Sequence, residues 1–122
     1  MHDAPVRKVS ADALTPGHVT AGVVREEAFV IGDLRSGRAF TEPGVASEWH
    51  HHGEHDTIAY IVRGALRVET ATDVVQGGPG DFVHVPAHTV HRESNPTEET
   101  SEVVVIRRGS GPVVINVGEP ET

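Results

Sequence analysis

The chain has no cysteine, which excludes disulfides, thiolate-ligated zinc and a cysteine nucleophile. Lysine occurs once, at Lys8, and ten basic residues stand against eighteen acidic ones, for a formal net charge of -8. A surface of that sign repels a phosphate backbone, so no nucleic acid is expected among the partners. Aromatic residues are equally scarce, with three Phe, one Trp and one Tyr, and the core must therefore be aliphatic. No apolar run approaches the ~20 residues that span a bilayer, so no membrane association is expected. Met1-His2-Asp3-Ala4-Pro5 lacks the basic and apolar regions of a signal peptide, and the expected location is cytoplasmic.

Helical periodicity is also lacking. Valine dominates the apolar runs, as in Val103-Val104-Val105-Ile106, and a β-branched side chain fits a pleated surface better than a helix. Short runs alternate with Gly, Pro, Asp and Asn roughly every ten residues, the pattern of an all-β sandwich or barrel. Strands are expected at 19–24, 28–31, 34–40, 45–52, 57–62, 65–70, 73–76, 81–85, 91–94, 102–108 and 113–117. Arg63-Gly64 reads as a tight hairpin between two of them, with Gly free to take positive φ. At 122 residues the chain is about one domain. It divides into an arm over 1–18, a single barrel over 19–117 and a solvated tail over 118–122.

What the chain has in excess is histidine. Seven of its nine lie between His50 and His91. Side chains alternate faces along a strand, so Glu48, His50 and His52 point one way while Trp49 and His51 point the other. Two imidazoles at i and i+2 on an inward face are placed to chelate one ion, although the same triplet also reads as a polar strand end.

A longer pattern frames that pair. From Gly44, five residues lead to His50, one to His52, four to Thr57 and six to Gly64. From Gly80, five lead to Pro86, one to His88, two to His91 and three to Asn95. This resembles the two motifs of the cupin family, G-x5-H-x-H-x3-4-E-x6-G and G-x5-P-x-G-x2-H-x3-N, at eight of ten defining positions. The fifteen residues between Gly64 and Gly80 are similar to the short spacing of small single-domain cupins. The resemblance implies a double-stranded β-helix, or jelly-roll barrel, with one divalent metal in its mouth. It carries His50, His52 and His91 over as ligands.

Two positions depart from the pattern. His88 stands in a Gly slot, at a turn whose positive φ His tolerates. Thr57 stands in the slot of the ligand Glu, and a neutral hydroxyl is a poor ligand for a divalent cation. Three readings follow: an open three-His site, as in some cupin oxygenases; His55 or Asp56 in place of the Glu; or no metal and a merely polar pocket.

Glu48, Glu54, Asp56 and Glu93 are near enough in sequence to orient a ligand imidazole, yet each reads more simply as a solvated surface charge. His84 reads as a packing residue on its strand, Tyr60 as core or subunit interface, and Arg38 as a surface residue that could clamp a carboxylate if it faced inward. The resulting expectation is a metal-binding protein acting on a small organic substrate or ligand. With iron it is a three-His dioxygenase-like oxidoreductase; with zinc, manganese or nickel, a Lewis-acid isomerase, cyclase or lyase. The other reading is a non-catalytic module holding a small ligand or the metal itself. Val-rich strands would leave apolar surface on a monomer, so a homodimer is expected.

Overall fold

β-branched and aliphatic residues at every second position decide the architecture, because period two buries one face of each strand. The computed structural model describes residues 5–121; the first four residues of the expected arm and the last of the tail lie outside the described residues. The described residues form eleven strands: β1 Thr15–Pro16, β2 Val23–Ile31, β3 Leu34–Thr41, β4 His50–His51, β5 Asp56–Arg63, β6 Leu66–Glu69, β7 Val74–Gly77, β8 Phe82–Val85, β9 Arg92–Ser94, β10 Ser101–Arg108 and β11 Ile115–Asn116. All pairings are antiparallel. One sheet runs β1-β2-β3-β10-β5-β8, a second β7-β6-β9, and β11 pairs with β4. This is the all-β jelly roll that the motifs imply. No helix is long and apolar enough to cross a membrane among the described residues.

β5 shows the rule most clearly. Thr57, Ala59 and Ile61 are buried, while Ile58, Tyr60 and Val62 between them are exposed. Ile61 meets Val68, Val83, Val85 and Val103 to form the core, with Ala39, Leu66 and Val105 packed around them. The larger sheet thus turns one face inward, toward β6, and leaves an apolar outer face. Tyr60 lies on that outer face, its ring centroid 4.7 Å from that of Phe82.

Several boundaries differ from the sequence reading. The expected strands 19–24 and 28–31 are one nine-residue strand, β2, because Arg25-Glu26-Glu27, though charged, continues the ladder opposite β3 up to a bulge after Glu27. The expected strand 45–52 keeps only His50–His51 as regular ladder, with a lone bridge from Ala46 to Ser94. The expected arm carries β1 against β2 and an Ala11 carbonyl that accepts from Arg38 Nη2 at 2.7 Å. Pro16 hides this edge strand from a propensity reading.

Arg63-Gly64 is not a hairpin, because β5 and β6 belong to different sheets. Gly64 instead turns the chain from one sheet to the other at φ +76°, and a Cβ there would come within 2.9 Å of Ser101 Cα. Gly64→Ala is therefore expected to cost about 1–3 kcal/mol from strain and crowding together. Urea denaturation measures it, and an unchanged midpoint would contradict the crowding.

Candidate metal centre

His50 lies on β4, His52 just beyond it, and His91 just before β9. The backbones of His50 and His91 are paired: each N–H donates to the other's carbonyl, at 2.9 and 2.8 Å. Residues so opposed bring their side chains together on one face. His52 joins them by the i, i+2 relation, and the ring centroids are 4.4 to 4.9 Å apart. All three rings are buried.

Their tautomers follow from their partners. His50 Nδ1 lies 2.8 Å from the Glu48 carbonyl, His52 Nδ1 2.7 Å from that of Val113, and His91 Nδ1 2.8 Å from that of Thr89. A carbonyl can only accept, so each Nδ1 carries the proton and donates it. In the neutral rings, each Nε2 then presents its lone pair to a shared point. This is how ligand imidazoles are held by backbone partners.

The fourth group at that point is Glu93. Its Oε1 lies 2.8 Å from His91 Nε2, 3.5 Å from His52 Nε2 and 3.9 Å from His50 Nε2. The four ligand atoms all lie within 4.8 Å of one another. Ser47 fixes the backbone beneath the carboxylate: its N–H donates to the Glu93 carbonyl at 2.8 Å, and its hydroxyl accepts from the Glu93 N–H at 2.9 Å. Burial alone would raise the Glu93 carboxyl. When no ion takes up the Nε2 lone pairs and these rings are protonated, hydrogen bonds from Nε2–H of His52 and His91 overcome it and hold the group well below the usual carboxylate range. Burial likewise opposes the charged form of His91, but the hydrogen bond to Glu93 outweighs it and His91 is raised. His50 is lowered, chiefly by burial. Three nitrogens and one carboxylate oxygen suit a first-row divalent metal.

The structure thus brings His50, His52 and His91 together, and His55 is not among the converging groups. His55 is fully buried, but its N–H and Nδ1 both turn onto the His52 carbonyl, at 3.0 and 2.9 Å, which fastens the turn after the ligand strand. Asp56 points elsewhere too: its Oδ1 meets His84 Nε2 at 3.1 Å and the Ala87 N–H at 3.2 Å. Thr57 faces inward, and its hydroxyl accepts from Arg107 Nε at 2.9 Å. The site is therefore not an open three-His arrangement, because Glu93 supplies the carboxylate from the other motif. Reading Glu93 as a solvated charge overlooked the signal that had singled out His52: Glu93 stands two residues past His91, as His52 does past His50. His88 adopts φ +63°, as its turn position requires.

Beside Glu93 lies a cavity of about 370 Å³, walled by aliphatic side chains such as Val85, Val103 and Val105 and by Arg25 and Arg107. The arrangement can hold a metal and admit a small organic molecule next to it.

Known proteins are similar to this chain in sequence or in fold. Quercetin 2,3-dioxygenase from Bacillus subtilis (strain 168) is 35% identical over 72 residues, 58% of this chain but only 21% of that protein. The chain thus spans about a fifth of the length of this relative. KdgF from a Halomonas species has a similar structure, with a TM-score of 0.74, 26% identity, and coverage of 85% of this chain and 94% of that one. The polyketide cyclase RemF from Streptomyces resistomycificus superposes with a TM-score of 0.78 over 96% of this chain and 89% of that one. At 16% identity that likeness shows the fold alone. The cupin domain family matches residues 38–107, from the middle of β3 to Arg107. The chain belongs to the cupin family.

Proposed function

We propose that this protein is a metal-dependent enzyme acting on a small organic substrate, with oxidation by O₂ on a non-haem iron as the leading reaction class. The observation that carries the reading is the set of three Nε2 lone pairs, fixed by three backbone carbonyls and completed by Glu93, which itself lines a largely aliphatic cavity. The partial likeness to a quercetin 2,3-dioxygenase supports oxidation over the alternatives. Iron held there would supply O₂-dependent oxidation, and zinc, manganese or nickel Lewis-acid polarisation of a carbonyl.

The chain's own residues have separate tasks in this reading. The carbonyls of Glu48, Thr89 and Val113 keep the imidazoles in the ligating tautomer. Glu93 brings one negative charge, and the Val-lined wall excludes water from the substrate's body. The test is O₂ consumption by the Fe(II)-loaded protein across a panel of flavonols, β-diketones, thiols and phenols. One class is expected to consume O₂ with matching loss of substrate, at a rate lowered more than about 100-fold in His91→Ala. A fully iron-loaded protein inert across the panel would contradict oxidation and transfer the assay to carbonyl isomerisation and lyase chemistry.

We also propose that two copies pair through the outer sheet face, where Ile58, Tyr60, Val62 and Phe82 are exposed. Light scattering should give a mass of about 26 kDa, twice the 13.0 kDa of the chain, falling toward the monomer in Phe82→Glu. A wild-type mass near 13.0 kDa would refute the pairing.

A further inference from the structure

The acidic surface encloses a cavity whose uncompensated charge is positive. Four arginines and three glutamates line it: Arg25, Arg35, Arg38 and Arg107 against Glu26, Glu27 and Glu93. Arg35 pairs with Glu27 at 2.8 Å and Arg38 with Glu26 at 2.9 Å. Glu93 is hydrogen-bonded by the histidines and is also the opposite charge that favours the cationic forms of Arg25 and Arg107, from beyond ion-pair distance. Among the described residues, no carboxylate lies within 4.0 Å of Arg25 or Arg107.

Each of these two arginines is tethered by one part of its guanidinium and free at the rest. Arg107 donates from Nε to Thr57, the residue in the slot of the motif glutamate, and its two Nη groups have no partner among the described residues. Arg25 donates from Nη1 to Thr20 Oγ1 at 2.7 Å and to the His18 carbonyl at 3.3 Å, leaving Nε and Nη2. These free nitrogens are not sealed in protein, since the buried side-chain nitrogens without a partner are Arg67 Nε and Arg92 Nε. They therefore keep access to solvent, and both arginines line the cavity. An unpaired guanidinium facing an apolar pocket is a fork waiting for a planar anion.

We propose that the cavity binds a small organic carboxylate with an apolar body, its anionic end held by Arg107 and Arg25. The inference rests on the reading of this cavity as the substrate site and narrows that reading to one substrate class. A carboxylate in place of Thr57 would ion-pair with Arg107 and cancel its free charge, whereas the neutral Thr57 hydroxyl only tethers it. Aliphatic walls at Val85, Val103 and Val105 favour a hydrocarbon body over a sugar.

The test is a ligand-observed NMR titration with benzoate and with benzamide, its uncharged counterpart of the same shape. It is run on the purified protein, with metal content measured in the same samples. Benzoate is expected to bind at least about tenfold tighter than benzamide, as suits charge-assisted hydrogen bonds. Arg107→Gln should abolish that preference and Arg25→Gln reduce it, with metal content unchanged in both. Arg107→Lys, which keeps the charge but not the fork, should fall between. Equal binding of benzoate and benzamide, or a full preference retained in Arg107→Gln, would overturn the proposal. If Arg107→Gln does not fold, an undiminished preference in Arg25→Gln overturns it instead. Metal retained at one per chain without a carboxylate preference sinks this inference alone. A carboxylate preference in a protein that holds no metal sinks the metal-enzyme reading and leaves the anion site standing.

Discussion

Glu93→Gln lowers the affinity for a divalent metal by about 10- to 100-fold, whereas Asp56→Asn leaves it unchanged. The size follows from replacing a charged ligand by a neutral one of the same shape, at a position where the carboxylate oxygen lies 2.8 to 3.9 Å from three Nε2 atoms. The contrast follows from Asp56 being committed to His84 and the Ala87 N–H. Competition against a metal-chelating dye measures both. In the metal-free protein the same substitution has a second, independent readout. His91 titrates above its ordinary value because its hydrogen bond to Glu93 outweighs burial. Glu93→Gln removes the charge that favours imidazolium and leaves burial, which opposes it, so the His91 midpoint falls. An NMR titration of the imidazole signals reads the direction. A midpoint that stays up in Glu93→Gln would mean that another group charges His91.

Asn95→Ala destabilises the barrel by about 2–4 kcal/mol, a large part of the ~5–15 kcal/mol that holds a domain together. Asn95 is almost wholly buried and uses its side chain completely. Nδ2 donates to the carbonyls of Thr41 at 2.9 Å and Glu99 at 2.7 Å. Oδ1 accepts from the Thr97 N–H at 3.0 Å and from its hydroxyl at 2.7 Å. Alanine leaves these partners, half-buried at Thr41 and Thr97, without their bonds, and an unmet polar group costs more than a made bond gains. Asn95→Asp keeps the acceptor but loses both donations, and should destabilise comparably. Urea denaturation of the two variants gives the values; a loss under about 0.5 kcal/mol in Asn95→Ala would show that water replaces the bonds. Metal affinity measured well below the melting temperature should survive, since Asn95 touches none of the ligands.

The motif's last residue is thus a structural lock and its histidines are a site, a division that spacing alone does not reveal. Gly44, Gly64, Pro86 and Asn95 made the barrel legible, because turns and locks constrain residue type at fixed intervals. His50 and His52 were legible as a pair because strand alternation is local. Glu93 was not, although the same alternation relates it to His91. A lone acid among eighteen reads as surface until the opposed backbone of His50 and His91 brings the two motifs together. His55 misled for the complementary reason: its face along the chain matched, but a turn between His52 and β5 rotates it onto the His52 carbonyl. The charge of the cavity was equally hidden, since it depends on which arginines find glutamates across β2 and β3. The one arginine that the sequence reading named as a possible carboxylate clamp, Arg38, is among those already paired.

Whether His50, His52, His91 and Glu93 hold one ion decides what this barrel can do. The direct measurement is plasma mass spectrometry of untagged protein after a mild chelator wash and metal reloading. X-ray absorption at the edge of the bound metal then identifies its neighbours, beside a His50→Ala/His91→Ala control. One metal per chain, with a shell of imidazole nitrogens and carboxylate oxygen that disappears in the control, is the predicted result. No metal retained after reloading, or equal retention in the control, would contradict it.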